Sequence, residues 1–357
     1  RSFDFILVLC VLILGLVSNL SMFSTDGGEF LYHTKSHLIR FVVFFILMLF
    51  LSFFSLRFWH STAYLFYIVV LGFLIWASLY GVTASGSQRW INLYFINLQP
   101  SELMKIAIIV CFARFFHREQ ITSVSSFKNI IVSLAILVMP IVLVVSQPDL
   151  GTSILIAASG LIVLWLAGLN IRYFVYSGLI LLVSFPFVIS FLKPYQKLRI
   201  LSFFNPDRDP LGAGYQIIQS KIAVGSGGLL GKGFLQGTQS YLEFLPEKHT
   251  DFIFTLFSEE QGFVGSVFLL IIYGILIYRI IKIGSISRSY FGRLFCYGFG
   301  SAIFIYIAVN MSMVLGLLPI VGSPLPIMSY GGSSMLATMI GLSIVMSTKI
   351  YHKQIIN

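Results

Sequence analysis

Ten stretches of this chain are apolar for long enough to cross a lipid bilayer, and that property excludes almost every soluble fold. The runs lie near residues 3–23, 37–56, 61–81, 100–116, 128–146, 150–169, 173–192, 253–281, 293–317 and 333–350. Hydrophobic residues make up 57% of the 357 and charged ones only 10%, a balance suited to lipid. Backbone polar groups inside lipid must be satisfied within their own segment, so the runs read as helices. The expected fold is an all-α polytopic membrane protein with about ten transmembrane helices in one domain, residues 1–357. The first run is too long and too soon followed by others to read as a cleaved signal peptide.

Basic residues give the orientation. With the N-terminus in the cytoplasm, the inner ends carry Arg1, Arg57, Arg114, Arg118, Lys128, Arg172, Arg279, Lys282, Arg288, Arg293, Lys349 and Lys353, and the short outer loops only Lys35, Arg40 and Arg89. The positive-inside rule therefore places both termini in the cytoplasm. This asymmetry accounts for most of the net charge of +10, so the charge points to anionic lipid and not to nucleic acid. No phosphate-binding loop of the Walker type occurs, which argues against an ATP-driven pump.

Two long polar departures organise the chain. Residues 85–99 form an outer loop whose Trp90 and Tyr94 suit the headgroup zone. Residues 193–252 form a second, large outer loop between helices 7 and 8, too long for an idle connection. Its glycines and its amphipathic Ile217, Ile218, Ile222 and Leu229 suggest a mobile or re-entrant element lying against the membrane.

The polar stretch Glu243-Phe-Leu-Pro-Glu-Lys-His-Thr-Asp251, just before an apolar run, is where chemistry is expected. Topology supports this, because helices 4, 6, 8 and 10 all open on the same outer face. Their starts are polar: Gln99-Pro-Ser-Glu102 with Lys105, Gln147-Pro-Asp149, His249-Thr-Asp251, and Ser329-Tyr-Gly-Gly-Ser-Ser334. Prolines and acids are also ordinary N-terminal chemistry, so capping alone explains any single entrance equally well.

Glu102 and Lys105 are three apart and share a helix face. Lys105 falls about 8 Å below the helix start, so it should pair with Glu102, either as a structural bridge or as one facing a polar cavity. Asp149 reads first as a cap. Glu259 and Glu260 lie roughly 12–14 Å along the helix from Asp251, too far to share its site, and at least one should pair with a cation. Asp207-Arg-Asp209, between two prolines, reads first as a turn and only weakly as a metal–nucleotide acid pair. Arg208 and Arg199 are better candidates for phosphate contact. The glycine-rich 225–237 stretch could cradle an anion with backbone amides, yet flexibility or close packing explains it at least as well. Cys10, Cys111 and Cys296 sit singly in apolar runs and read as core. His33, His37, His60, His117 and His352 read as interfacial, and only His249 keeps functional company.

The chain resembles the SEDS (shape, elongation, division and sporulation) family. The resemblance rests on Gly86-Ser-Gln-Arg-Trp-Ile, Gln99-Pro-Ser-Glu-Leu-Met-Lys105, Gln147-Pro-Asp-Leu-Gly-Thr152, Gly214-Tyr-Gln-Ile-Ile-Gln-Ser220, Gly225-Ser-Gly-Gly-Leu-Leu-Gly-Lys-Gly233, Phe244-Leu-Pro-Glu-Lys-His-Thr-Asp-Phe-Ile-Phe254 and Leu325-Pro-Ile-Met-Ser-Tyr-Gly-Gly-Ser-Ser334. These motifs follow in order over nearly the whole chain, and the wording of 237–251 is closer to the family's rod-shape branch than to its division branch.

The resemblance implies a peptidoglycan glycosyltransferase of the bacterial cytoplasmic membrane that polymerises lipid II during cell elongation, with its active site on the extracytoplasmic face. By motif, Asp251 takes the role of catalytic base. Arg89, Glu102, Lys105 and Asp149 form a supporting cavity, with Arg199, Arg208, Lys248, His249, Ser329 and Ser333 as further substrate-side candidates. No cofactor is fixed by the resemblance, and a divalent cation, Mg or Mn, could stabilise the departing diphosphate. The implied partners are lipid II, undecaprenyl diphosphate, a class B penicillin-binding transpeptidase and other cell-elongation proteins. A lipid II flippase is the alternative, motivated by charges near the bilayer and the broken 319–332 segment. The division-type polymerase of the same family is another, and a purely structural partner leaves the polar entrances unexplained.

Overall fold

The computed structural model describes residues 3–84, 87–93, 97–117, 124–192, 194–205, 212–238 and 249–356. Among these, helices dominate: α1 (Phe5–Thr25), α2 (Tyr32–Leu51), α3 (Leu56–Tyr80), α4 (Pro100–Phe115), α5 (Phe127–Ser146) and α6 (Leu150–Leu166) come first. They are followed by α7 (Ile171–Phe191), α8 (Pro194–Phe204), α9 (Ala213–Ser226), α10 (Ile253–Ile286), α11 (Tyr290–Val314) and α12 (Gly332–Ile350). Seven of them, α1, α2, α3, α5, α10, α11 and α12, are long and apolar enough to cross a membrane. The shorter α4 and α6 pack among them, and with the apolar α7 they complete the ten runs of the sequence.

Burial divides the bundle into a centre and a lipid-facing shell. From Pro100 to Ala113 every residue of α4 is buried, and in α12 the buried share of the most apolar window is 83%, against 28% in α2, α3 and α5. Leu182, Val183 and Phe187 on α7 are all more than 70% exposed, the arrangement of a protein whose outer solvent is hydrocarbon. Side chains at the helix starts fix one end of the bundle. Asp4, Ser55, Ser126, Asn170 and Ser289 cap α1, α3, α5, α7 and α11. At that end Asp4 also pairs with Arg279, near the C-terminus of α10. The helices α4, α6, α10 and α12 start at the opposite end.

Three expectations change. The run expected at 61–81 begins at Leu56, because Ser55 accepts the Phe58 amide and the helix starts before the polar Arg57 and His60 give way to apolar sequence. The 85–99 loop carries part of a small antiparallel sheet: β1 (Val82–Ala84) pairs with β2 (Ser87–Asn92), and β2 with β3 (Asn97–Leu98). Tyr94 lies outside the described residues.

The 193–252 segment is not a loop throughout. It holds α8 and α9, and its glycine-rich turn docks into a break in α10. Gly262 takes φ 66° and ψ −162°, which interrupts the helix. Lys232 and Gly233 donate their amides to the carbonyls of Glu259 and Glu260, while Phe263 and Val264 donate to the carbonyls of Gly228 and Leu229. The turn therefore supplies the hydrogen bonds that the kink releases. A side chain at Gly227 or Gly231 would collide with the α10 backbone, at 2.2 Å and 2.0 Å. Close packing, not an anion cradle, accounts for these glycines.

Candidate active site

The four polar helix starts are joined by side-chain and backbone contacts into one constellation. At the α12 entrance Ser333 Oγ accepts the Gln99 amide at 2.8 Å and donates to the Asn97 carbonyl at 3.2 Å. Gln99, at the α4 entrance, donates through Nε2 to Asp149 Oδ2 at 3.0 Å. Asp149 caps α6, accepting from the Thr152 amide at 3.2 Å and its hydroxyl at 2.9 Å. It also takes the Arg89 guanidinium at 3.2 Å, so the expected cap is at the same time an ion pair.

The segment between α11 and α12 connects this cluster to Asp251. A side chain on Gly151, the second residue of α6, would lie 1.7 Å from the Val321 carbonyl, so only glycine lets the two backbones meet. On the next residue, Gly322 at φ +69°, a Cβ would stand 3.5 Å from Asp251 Oδ2. Asp251 and the Asp149–Gly151 helix start thus flank the Val321–Gly322 backbone. Asn310 holds Asp251 from below. Its Nδ2 donates to the Asp251 carbonyl at 2.9 Å and to the Ser323 carbonyl at 2.6 Å. Asn310 Oδ1 and Ser323 Oγ are buried and have no hydrogen-bond partner among the described residues.

One helical turn into the membrane, Lys105 and Glu102 form the expected ion pair at 2.7 Å, both about 4% exposed. Lys105 Nζ also lies 4.6 Å over the Tyr306 ring, whose hydroxyl meets Ser159 Oγ at 2.5 Å. Glu259 makes the expected pairing with a cation, Lys232 at 2.6 Å, three residues before the Gly262 kink of α10. Glu260 accepts a hydrogen bond from Ser24.

The remaining candidates divide. His249 anchors the α12 entrance, its carbonyl accepting the Tyr330 amide at 2.8 Å. Its ring stacks on His33 at 4.2 Å. The Ser329 hydroxyl accepts the Leu325 amide at 2.7 Å, which holds it in the turn before α12. Arg199, exposed on α8, reaches the Ile320 carbonyl at 3.4 Å, beside the Val321–Gly322 segment. Arg208 and Lys248 lie outside the described residues, as do Asp207 and Asp209.

Two histidines depart from the interfacial reading. His37 is buried and meets Ser18 Oγ at 2.5 Å, and His33 joins His249 and Asp26 with donor atoms all within 4.8 Å of one another. Imidazole donors of this kind suit Mn or Zn better than Mg, which prefers oxygen. Asn310 and Tyr306 escaped notice in the sequence, although a polar pair four residues apart in an apolar run was a usable signal.

Fold and site together define a polytopic helical membrane protein with a buried polar cluster beneath four converging helix starts. The chain belongs to the FtsW/RodA/SpoVE family of cell cycle proteins, whose family model matches residues 1–354. It is 47% identical over 290 residues to peptidoglycan glycosyltransferase MrdB of Escherichia coli K12, covering 81% of this chain and 78% of that one. A chain from a peptidoglycan synthase complex, solved for its coordination of polymerization and crosslinking, superposes with TM-score 0.85 at 29% identity over 99% of both chains. Thermus thermophilus RodA shares the fold, with TM-score 0.75 at 24% identity over 99% of both chains. Within the family this chain stands with the RodA branch.

Proposed function

We infer that this protein is a peptidoglycan glycosyltransferase that polymerises lipid II in the bacterial inner membrane, with Asp251 as its general base. Family membership and the 47% identity to a peptidoglycan glycosyltransferase support the activity. The observation that carries the site is the placing of Asp251: its carboxylate faces the side-chain-free Gly322, and Asn310 tethers its backbone.

The proposed reaction joins two sugars. The 4-hydroxyl of an acceptor N-acetylglucosamine forms a bond to the anomeric carbon of lipid-linked N-acetylmuramic acid, the bond to undecaprenyl diphosphate breaks, and the hydroxyl proton passes to Asp251. Such general-base assistance is worth roughly 10²- to 10⁴-fold. The leaving diphosphate needs neutralisation more than a proton, and Arg89, 28% exposed at the rim of the cluster, and Arg199 are the described cations placed to supply it. A divalent cation, when bound, would add to that neutralisation. Lys105 is committed to Glu102 and so shapes the cavity floor.

In this reading the four converging entrances lie on the extracytoplasmic side, both termini are cytoplasmic, and elongation of the cell is the setting. The synthase complex that contains the similar chain supports a transpeptidase partner of the class B penicillin-binding type.

The test is polymerisation by the purified protein in sealed liposomes carrying lipid II only in the outer leaflet. Wild type should build glycan chains without ATP, and Asp251→Asn should lose at least roughly 10²-fold in rate with an unchanged melting temperature. Near-normal polymer from folded Asp251→Asn rejects the base. Leaflet exchange with no polymer, in the presence of divalent cations and a transpeptidase, rejects the polymerase in favour of the flippase.

A further inference from the structure

The turn after α1, the first turn of α2 and the turn before α10 bring Asp26, His33 and His249 together, and the proposed chemistry uses neither Asp26 nor His33. We propose that these three side chains form a binding site for one divalent transition-metal ion, of the zinc and manganese class, which staples the α1–α2 turn to the segment that carries Asp251. The inference concerns metal binding and stands apart from the assignment of the activity.

Geometry makes the case. One donor atom from each of the three residues lies within 4.8 Å of the other two. A tetrahedral ion with bonds of about 2.0–2.2 Å holds its donors about 3.3–3.6 Å apart. Closing that gap means turning His33 out of its 4.2 Å stack on His249, and with 42% of its side chain exposed it has room to turn. His33 Nδ1 already lies 3.5 Å from Asp26 Oδ1. Two imidazoles and one carboxylate are a donor set for borderline metals, and they leave positions on the ion for water or another ligand.

The surrounding contacts hold two of the three donors, Asp26 and His249, in place. Asp26 Oδ2 accepts from the Thr34 amide at 2.9 Å and from the Thr34 hydroxyl at 2.7 Å, which fixes the carboxylate and directs Oδ1 at His33. Thr25 Oγ1 donates its hydrogen to the Met22 carbonyl at 2.7 Å, so toward His249 Nδ1, 3.0 Å away, the same oxygen acts as acceptor. That pairing matches the His249 tautomer protonated on Nδ1, the one that ligates a metal through Nε2. The Tyr330 ring packs edge-on against His33 at 5.3 Å and limits its orientations. His249 is two residues from Asp251, so an ion here would restrict the backbone that presents the carboxylate.

The experiment uses the full-length protein without a polyhistidine tag, in detergent micelles, stripped of metal by a chelator. Zn²⁺ is titrated against a chromophoric chelator, Co²⁺ is followed by its visible absorption, and melting temperature is read with and without Zn²⁺. Wild type should bind one equivalent and melt at a higher temperature with zinc. His33→Phe, which keeps the ring stack, should melt like metal-free wild type, bind zinc at least roughly tenfold more weakly and lose the zinc-dependent melting shift. Asp26→Asn keeps an acceptor for Thr34 and provides the second variant, with the same expected loss. No stoichiometric binding by wild type, or unchanged binding in both variants, overturns the site.

Discussion

Lys105 and Glu102, one helical turn apart on the central helix α4, close a buried 2.7 Å ion pair, and the ammonium also lies 4.6 Å over the Tyr306 ring. Two charges at this depth hold their places because each neutralises the other and the ring face supplies a third contact. Changing Glu102 to Gln or Lys105 to Met strands the remaining charge, and each should destabilise the protein by about 3 kcal/mol. The double variant should lose less than the sum. Thermal melts of the four proteins in detergent measure the coupling, and strictly additive losses would count against it.

Gly151→Ala should damage both stability and activity. The added Cβ meets the Val321 carbonyl at 1.7 Å, a backbone atom that cannot swing aside. The overpacking cost is about 1–3 kcal/mol, and relief requires moving the 321–322 backbone that faces Asp251. Melting temperature and polymerisation rate should therefore fall together. A melt within error of wild type would mean that α6 and this segment are not in contact.

Arg89 and Asp149 link the β2 strand to the α6 start at 3.2 Å. Asp149→Asn keeps an acceptor for Thr152 while removing the charge that Arg89 faces, so the helix should survive and the guanidinium should lose its fixed position. Polymerisation by Asp149→Asn, Arg89→Gln and the double variant should give a coupling of about 0.5–3 kcal/mol in transition-state stabilisation. Independent effects would remove the pair from the site.

Asn310→Leu keeps the volume of the side chain and removes both hydrogen bonds to the Asp251 and Ser323 carbonyls. Leaving the buried Ser323 carbonyl without this donor costs about 1–3 kcal/mol. The turnover rate should fall more than the apparent affinity for lipid II, because the variant loosens a reacting group and leaves the rest of the surface intact. An unchanged turnover rate in folded Asn310→Leu would separate Asn310 from the positioning of Asp251.

Much of this architecture was written in the chain as local pattern. Apolar run length alone located the ten long apolar helices, since a lipid-crossing segment must satisfy its own backbone. Alternation of direction placed the polar starts of α4, α6, α10 and α12 at one end, and the three-residue spacing of Glu102 and Lys105 announced their pairing. Local pattern left other points open: glycines at 225–237 look alike whether they cradle an anion or fill a helix break, and within the outer segment 193–252 the short helices α8 and α9 do not stand out.

What only the tertiary structure decided was which residues meet across long stretches of chain. Gly322 faces Asp251 because the segment after α11 folds back over the α10 start, and Gly151 admits that segment because it lacks a side chain. His33 stacks on His249 from more than 200 positions away in sequence, and Asn310 reaches the Asp251 carbonyl from a helix that reads simply as apolar. Periodicity reports the face a residue occupies on its own helix. The partner opposite that face is set by the packing of the whole bundle, which no local window contains.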